Sequence, residues 1–188
     1  MLAKGLDFDH VGLVGILNAD NALYFPDFRA HERAYQMMVQ VAGRSGRKQK
    51  GKVLIQTYNP LHNVIQQVAS NNYEGMFKEQ MYDRLNFKYP PFYRLIRIQL
   101  KHVDYDKVTK GSYWLHDQLQ QHLQLPVLGP EEPTINRIRN QYIRNILIKI
   151  PINTSLSQTK IIITRVIKSF ESVGEFRAIR SVVNVDFY

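Results

Sequence analysis

The residues Gln40-Val41-Ala42-Gly43-Arg44-Ser45-Gly46-Arg47 fit the pattern Q-x-x-G-R-x-G-R at all five fixed positions. Two guanidiniums set among glycines offer planar forks that match phosphate oxygens, and the glycines let the backbone turn tightly between them. That chemistry suits the sensing of a terminal phosphate; a basic, solvated loop after a helix is the plain alternative. A second group, Arg137, Arg139, Arg144 and Lys149 with Tyr142 among them, has the residue types that grip a nucleic-acid backbone and stack on an unstacked base. Its plain alternative is the solvated face of a strand. A third stretch, Ala3-Lys4-Gly5-Leu6-Asp7-Phe8, stands just before an apolar run.

Other chemistries find little support. No two of the six histidines stand four residues apart, and His116 and His122 are six apart, so a metal site is not expected. Neither a G-x-S-x-G turn nor a Ser/His/Asp arrangement is recognisable. The chain has no cysteine, which excludes a disulfide framework, a thiolate zinc site and a cysteine nucleophile.

These groups sit in a chain of 188 residues with 44% hydrophobic and 22% charged residues and a formal net charge of +9. Such a composition is that of a globular protein with one large or two small cores. No apolar run approaches the roughly 20 residues of a membrane span, and the N-terminus lacks the pattern of a signal peptide. The sequence therefore reads as soluble and cytoplasmic. Divided before Asn86, the chain carries 10 basic and 8 acidic residues in its first part (+2), and 15 and 8 in its second (+7). The positive balance of the second part points to a polyanionic partner. Tyr89-Pro90-Pro91-Phe92 marks the hinge, because consecutive prolines stop a helix and extend the residue before them. The expected domains are 1–88 and 89–188.

The first part reads as an α/β fragment. Val11 to Leu17 is an apolar run of the kind covered on both faces in a parallel sheet. Ala34, Tyr35, Met38 and Val41 predict a helix ended by Gly43. Lys52 to Thr57 predicts a second strand, Asn59-Pro60 a helix start, and 61–69 and 73–85 two more helices. A pair of parallel strands needs neighbours, so further chain is expected before Met1.

The second part reads as β-α-β-β-α-β. Leu95 to Lys101 alternates with period two, with Arg97 and Lys101 on a wet face. Asp104 caps a helix to Leu123, whose buried side is read as Val108, Tyr113, Trp114 and Leu119. Val127 to Pro130 and Tyr142 to Ile150 predict strands, separated by a turn-rich segment. Ser155-x-x-Gln158 predicts a capping box for a helix to Ser172, and Ala178 to Phe187 the last strand. This order is a split βαβ, ferredoxin-like arrangement.

The motif order is informative. K-G-L-D-F, a strand ending in Asn-x-Asp, Asp27-Phe28-Arg29-Ala30-x-Glu32-Arg33 and Q-V-A-G-R-x-G-R resemble motifs V and VI of superfamily 2 helicases. Within these the sequence is most similar to the bacterial replication-restart helicase family. The resemblance continues through Val53 to Pro60, Tyr89 to Phe92, Val127 to Pro130 and the terminal Val-x-Val-Asp-Phe. It implies a partial second RecA-like lobe, of P-loop NTPase type, followed by a domain that binds DNA and docks the single-strand-binding protein. By that resemblance Arg47 is the arginine finger, Arg44 a second phosphate contact, Gln40 an organiser of the site between lobes, and Gly5 and Asp7 part of a nucleotide-facing turn. Gly43 belongs to the same nucleotide-facing segment and Lys4 to the DNA side. The implied cofactors are ATP and Mg²⁺ in the longer parent, with zinc in a cysteine-rich parental segment. The implied partners are branched and single-stranded DNA, the single-strand-binding protein and other primosome proteins.

The chain also departs from that family. It holds no G-x-x-x-x-G-K-[ST] loop and no D-E-x-H motif, the parts that hold phosphates and Mg²⁺. The expectation is a C-terminal piece beginning within motif V, binding no cofactor and without ATPase activity alone, and open to self-association through uncovered sheet edges. A stand-alone basic nucleic-acid-binding or adaptor module is the competing account.

Overall fold

The computed structural model describes residues 11–45 and 51–187. The chain divides between Asn86 and Phe87 into two units, beside the double proline expected to act as the hinge.

In unit 1 the apolar run forms β1 (Leu13–Ile16), parallel to β2 (Lys52–Ile55), with Leu13 opposite Lys52 and Ile16 opposite Ile55. Between and after them come α1 (Asp20–Leu23), α2 (Ala30–Ala42), α3 (Asn63–Ala69) and α4 (Tyr73–Asn86). Because side chains alternate along a strand, Ile16, Val53 and Ile55 share one face. They pack with Ala34, Tyr35 and Met38 of α2, Val64, Ile65 and Val68 of α3, and Met76 of α4. Leu13 and Leu54 point the other way and are exposed. The expectation of cover on both faces is corrected accordingly: among the described residues only one face is covered.

Two local expectations also change. β2 stops at Ile55 because the following residues turn to Asp20, whose carboxylate accepts from the Thr57 hydroxyl and the Tyr58 N–H, each at 3.0 Å. The next helix starts at Asn63, not near Pro60. Its cap is His62, whose Nδ1 accepts from the Val64 N–H at 3.2 Å, so an imidazole satisfies one of the donors a helix start leaves open.

Unit 2 runs β3 (Tyr93–His102), α5 (Tyr105–Leu123), β4 (Val127–Glu131), β5 (Arg137–Ile138), β6 (Gln141–Pro151), α6 (Leu156–Ser172) and β7 (Arg180–Val185). The sheet order is β4-β6-β3-β7, all neighbours antiparallel, with β5 pairing to β6. Ile96, Ile98 and Leu100 of β3 and Ile146, Ile148 and Ile150 of β6 meet Val108, Leu115 and Leu119 of α5 and Ile163, Val166 and Phe170 of α6. Asp104 caps α5 by accepting from the Lys107 N–H at 3.0 Å, and Ser155 caps α6. Trp114 lies against Phe170 and Phe176, with centroids 5.9 and 6.0 Å away, whereas Tyr113, expected inside, is exposed. At Gly111 a Cβ would stand 2.6 Å from the Ile179 Cδ1 and 3.3 Å from the Phe170 ring, so a side chain there would have to displace the end of Ile179.

The face of β3 expected to be wet is only partly so, with Arg97, Gln99 and Lys101 half-buried. Leu95 and Ile143 are buried on it, Gln99 donates to Asn145 at 3.2 Å, and the Arg97 guanidinium lies 4.0 Å from the Phe187 ring centroid. Charged residues at period two show which residues share a face, but not whether another segment covers it.

Candidate nucleic-acid interface

The basic cluster read from the sequence does not form one surface. Residues 142, 144, 146 and 148 of β6 share parity, so Arg144 projects on the helix-covered side with Ile146 and Ile148, while Lys149 projects on the opposite side. Both are buried, with relative exposures of 6% and 5%. Arg144 Nη1 lies 2.9 Å from the Glu132 carboxylate, Nη2 donates to the Thr109 hydroxyl at 3.2 Å, and the guanidinium sits 4.7 Å from the Tyr105 ring centroid. The Lys149 ammonium donates to the Phe87 carbonyl at 2.7 Å and stands 3.7 Å from the Tyr89 ring centroid. Burial pushes the Lys149 ammonium below the usual lysine range, and Lys88 adds to this by repulsion. Both are corrected from nucleic-acid contacts to interior positions. Each charge meets acceptors or rings inside the unit, as a buried charge must.

Arg137 and Arg139 are different. β5 and the start of β6 form a hairpin in which Arg137 pairs with Tyr142 and Ile138 with Gln141. Its two central residues, Arg139 and Asn140, both have positive φ, 48° and 61°, the pattern of a type I′ turn. Asparagine tolerates that region; arginine does so at a cost of about 1–2 kcal/mol. Arg137 and Arg139 are exposed, so this turn carries both cations into solvent. The Arg137 guanidinium stands 4.9 Å from the Tyr142 ring centroid, and Tyr142 meets Tyr105 edge to face at 5.3 Å.

Tyr105 escaped the sequence reading. Its only local sign is its place immediately after the Asp104 cap; its neighbours come from β6, 37 and 39 residues away in sequence. The result is a row, Arg144, Tyr105, Tyr142, Arg137, running from the interior to the hairpin.

In unit 1, Gln40 and Gly43 are exposed and Arg44 is half-buried at the C-terminal end of α2. Gly43 has φ of −64° and ψ of −7°, an ordinary helical geometry, so no left-handed turn requires glycine there. Lys4, Gly5, Asp7 and Arg47 lie outside the described residues. The start of α2 is held by charge. Asp27 accepts from the Arg29 N–H at 2.8 Å and from Arg33 at 2.7 Å, while Glu32 accepts from Arg29 at 3.3 Å and from Arg84 of α4. Burial raises the Glu32 carboxyl, but the hydrogen bonds and charges of Arg29 and Arg84 outweigh it and hold the group below the usual glutamate range.

Among the described residues no three histidine or carboxylate side chains converge on a possible metal position, and no helix is long and apolar enough to cross a membrane.

The described chain is thus an α/β fragment followed by an antiparallel module that carries a cationic hairpin beside two tyrosines. Residues 86–187 match the family model described as "Primosomal protein N C-terminal domain", and the chain belongs to that family. Among curated proteins it is similar to the replication restart protein PriA of Bacillus subtilis, 39% identical over 160 residues, covering 84% of this chain and 20% of that protein. The PriA of Treponema pallidum is 36% identical over 181 residues, 95% of this chain and 26% of the relative. That of Haemophilus influenzae is 36% identical over 161 residues, 84% and 22%. The chain thus spans about a fifth to a quarter of the length of these relatives.

Proposed function

We propose that this chain is the C-terminal part of an ATP-dependent DNA helicase that restarts stalled replication, working in the cytoplasm. The observation that carries this reading is the similarity to replication restart proteins over up to 95% of the chain, which takes in both units. Unit 1, with its parallel β1-β2 pair, is read as part of a RecA-like lobe, and unit 2, with its β4-β6-β3-β7 order, as a ferredoxin-like module.

In this reading the segment ending at α2 faces a nucleotide held mainly by the rest of the parent. Arg47 and Arg44 address its phosphates, Gln40 and Gly43 belong to the same nucleotide-facing segment, and Gly5 and Asp7 to a nucleotide-facing turn. Exposed Gln40 in the last turn of α2 and half-buried Arg44 just past its C-terminal cap are the described residues of this segment. ATP with Mg²⁺ supplies the phosphoanhydride whose hydrolysis drives movement, and guanidiniums positioned here stabilise charge developing on phosphate oxygens. Zinc belongs to a parental segment.

Unit 2 is read as the DNA-facing module, through Arg137, Arg139 and Tyr142, with Lys4 contributing from unit 1. The single-strand-binding protein and other primosome proteins are its proposed partners. Fluorescence anisotropy with labelled single-stranded, duplex and forked DNA across a salt series tests this. Affinity is expected to fall steeply with salt, since backbone contacts release counterions; binding that is absent, or indifferent to salt, would overturn the DNA reading. A phosphate-release assay on the chain alone is expected to show no ATP turnover. Turnover that Arg47→Ala abolishes would overturn the view that the chain supplies only part of the site.

A further inference from the structure

We infer that the row formed by Tyr105, Tyr142 and Arg137 is a stacking site for an unpaired nucleobase, with Arg139 at the hairpin turn taking the adjoining phosphate; this rests on the reading of unit 2 as DNA-binding. Three observations carry it independently of any motif. First, the Tyr105 ring has the Arg144 guanidinium 4.7 Å from its centroid, yet the residue keeps 44% of its surface in water. A guanidinium against an aromatic ring, itself fixed by Glu132 and Thr109, holds that ring still, and a rigid ring loses little entropy when a base stacks on it. Second, Tyr105 and Tyr142 meet edge to face, at 83° between planes. The two rings stand nearly at right angles, and Arg137 lies against the Tyr142 ring, which is itself half-buried against the core. Third, Arg139 holds a backbone conformation unfavourable to arginine. A strained residue at an exposed turn points to a role for its side chain outside the fold.

The occupant follows from the chemistry. Paired bases inside a duplex hide their faces in the stack, whereas an unpaired base offers both. Base–aromatic stacking is sequence-tolerant, because every base has a π-face. The cations beside it fit the phosphates on either side of that base, in a unit whose residues sum to +7. Exposed Ile135 and Ile138 add apolar surface at the same hairpin, which a base and its sugar would cover.

The test uses the 188-residue chain and DNA carrying one 2-aminopurine. The probe is placed either in a single-stranded oligothymidylate or within a blunt duplex of the same length. Binding is expected to quench the single-stranded probe. Tyr105→Leu and Tyr142→Leu are each expected to weaken single-strand binding roughly 5- to 150-fold, the range for loss of one stacking platform, with duplex affinity within twofold. Tyr105→Phe keeps the ring and is expected to restore the quench. Arg139→Ala is expected to weaken both DNAs and lower the salt dependence. Thermal unfolding of each variant separates a lost platform from a lost fold. Equal losses on both DNAs by folded tyrosine variants, or no loss on the single strand, would overturn the stacking site while leaving DNA binding by unit 2 intact. No binding of either DNA by the unsubstituted chain would instead overturn the underlying reading.

Discussion

Arg144 Nη1 lies 2.9 Å from the Glu132 carboxylate, joining a buried guanidinium of β6 to a half-exposed carboxylate just after β4. The two partners are unequal. Glu132 can be hydrated when the pair is broken, whereas Arg144 would remain buried with Thr109 and a tyrosine face as its company. Glu132→Ala is therefore expected to destabilise the chain by about 1–3 kcal/mol, as for a charged group left short of partners. Arg144→Met, which removes the buried charge, is expected to cost less. Urea titrations at neutral pH compare the two, and the reverse order would contradict this picture of the pair. Single-strand affinity of Arg144→Met is expected to fall, because the guanidinium that steadies the Tyr105 ring is lost, with duplex affinity within twofold of the unsubstituted chain.

Lys149 gives a contribution in alkaline solution. Burial and Lys88 lower its folded-state pKa below the ordinary lysine value of 10.5, so the unfolded chain binds more protons in the interval between folded and unfolded values. Stability from this group is then present above 10.5 and lost as pH falls through the lowered folded value. The difference in urea midpoint between the unsubstituted chain and Lys149→Met is expected to move in favour of the unsubstituted chain as pH rises through that window. A pH-independent difference would mean the ammonium is not desolvated.

Arg139 sets stability against binding. Replacing it by glycine removes the penalty for positive φ and is expected to stabilise the hairpin by up to about 1 kcal/mol, less what glycine adds to the entropy of the unfolded chain. The same change is expected to weaken DNA binding and its salt dependence. A thermal melt and an anisotropy titration on one preparation read both. A variant that is less stable and binds as before would contradict the assignment.

His62 makes unit 1 sensitive to mild acid. Burial, with repulsion from His31, lowers its pKa below 6.5, while Glu79 and Asp20 act in the other direction. The neutral ring is the form that accepts from the Val64 N–H. For a lowered folded value, stability is present above 6.5 and lost as pH falls through the folded value. His62→Asn retains an acceptor at the helix start without titrating. The unsubstituted chain is expected to lose stability relative to this variant below pH 6.5, measured by urea midpoints. Parallel pH profiles would rule the histidine out.

Much of this was legible in the sequence because periodicity reports faces directly. Ile96, Ile98 and Leu100, and Ile146, Ile148 and Ile150, alternate as the observed strands do. The spacing of Ala34, Tyr35 and Met38 gives the buried side of α2, and Asp104 and Ser155 announced the starts of α5 and α6. Less legible was the two-residue strand β5, too short for any period and formed by its partner β6. The His62 cap was hidden because imidazole is an uncommon capping group and Asn59-Pro60 carried the stronger local signal. Tyr113 misled because aromatic character says little about direction on a helix.

The sequence by itself determined most of the order of elements, the concentration of positive charge after Asn86 and the motif order that ties the chain to its family. These are local or additive properties, and no distant contact can change them. Only the tertiary structure decided which cations meet water. Parity already placed Arg144 beside the isoleucines of β6 and Lys149 on the other side, but a charged residue invites an exposed reading until its partners are known. Glu132, Thr109 and Tyr105 surround Arg144, and Phe87 and Tyr89 surround Lys149, all brought together across 12 to 62 residues of chain. Desolvation and pairing depend on that three-dimensional surrounding, which leaves Arg137 and Arg139 of the five-residue group as the exposed cations.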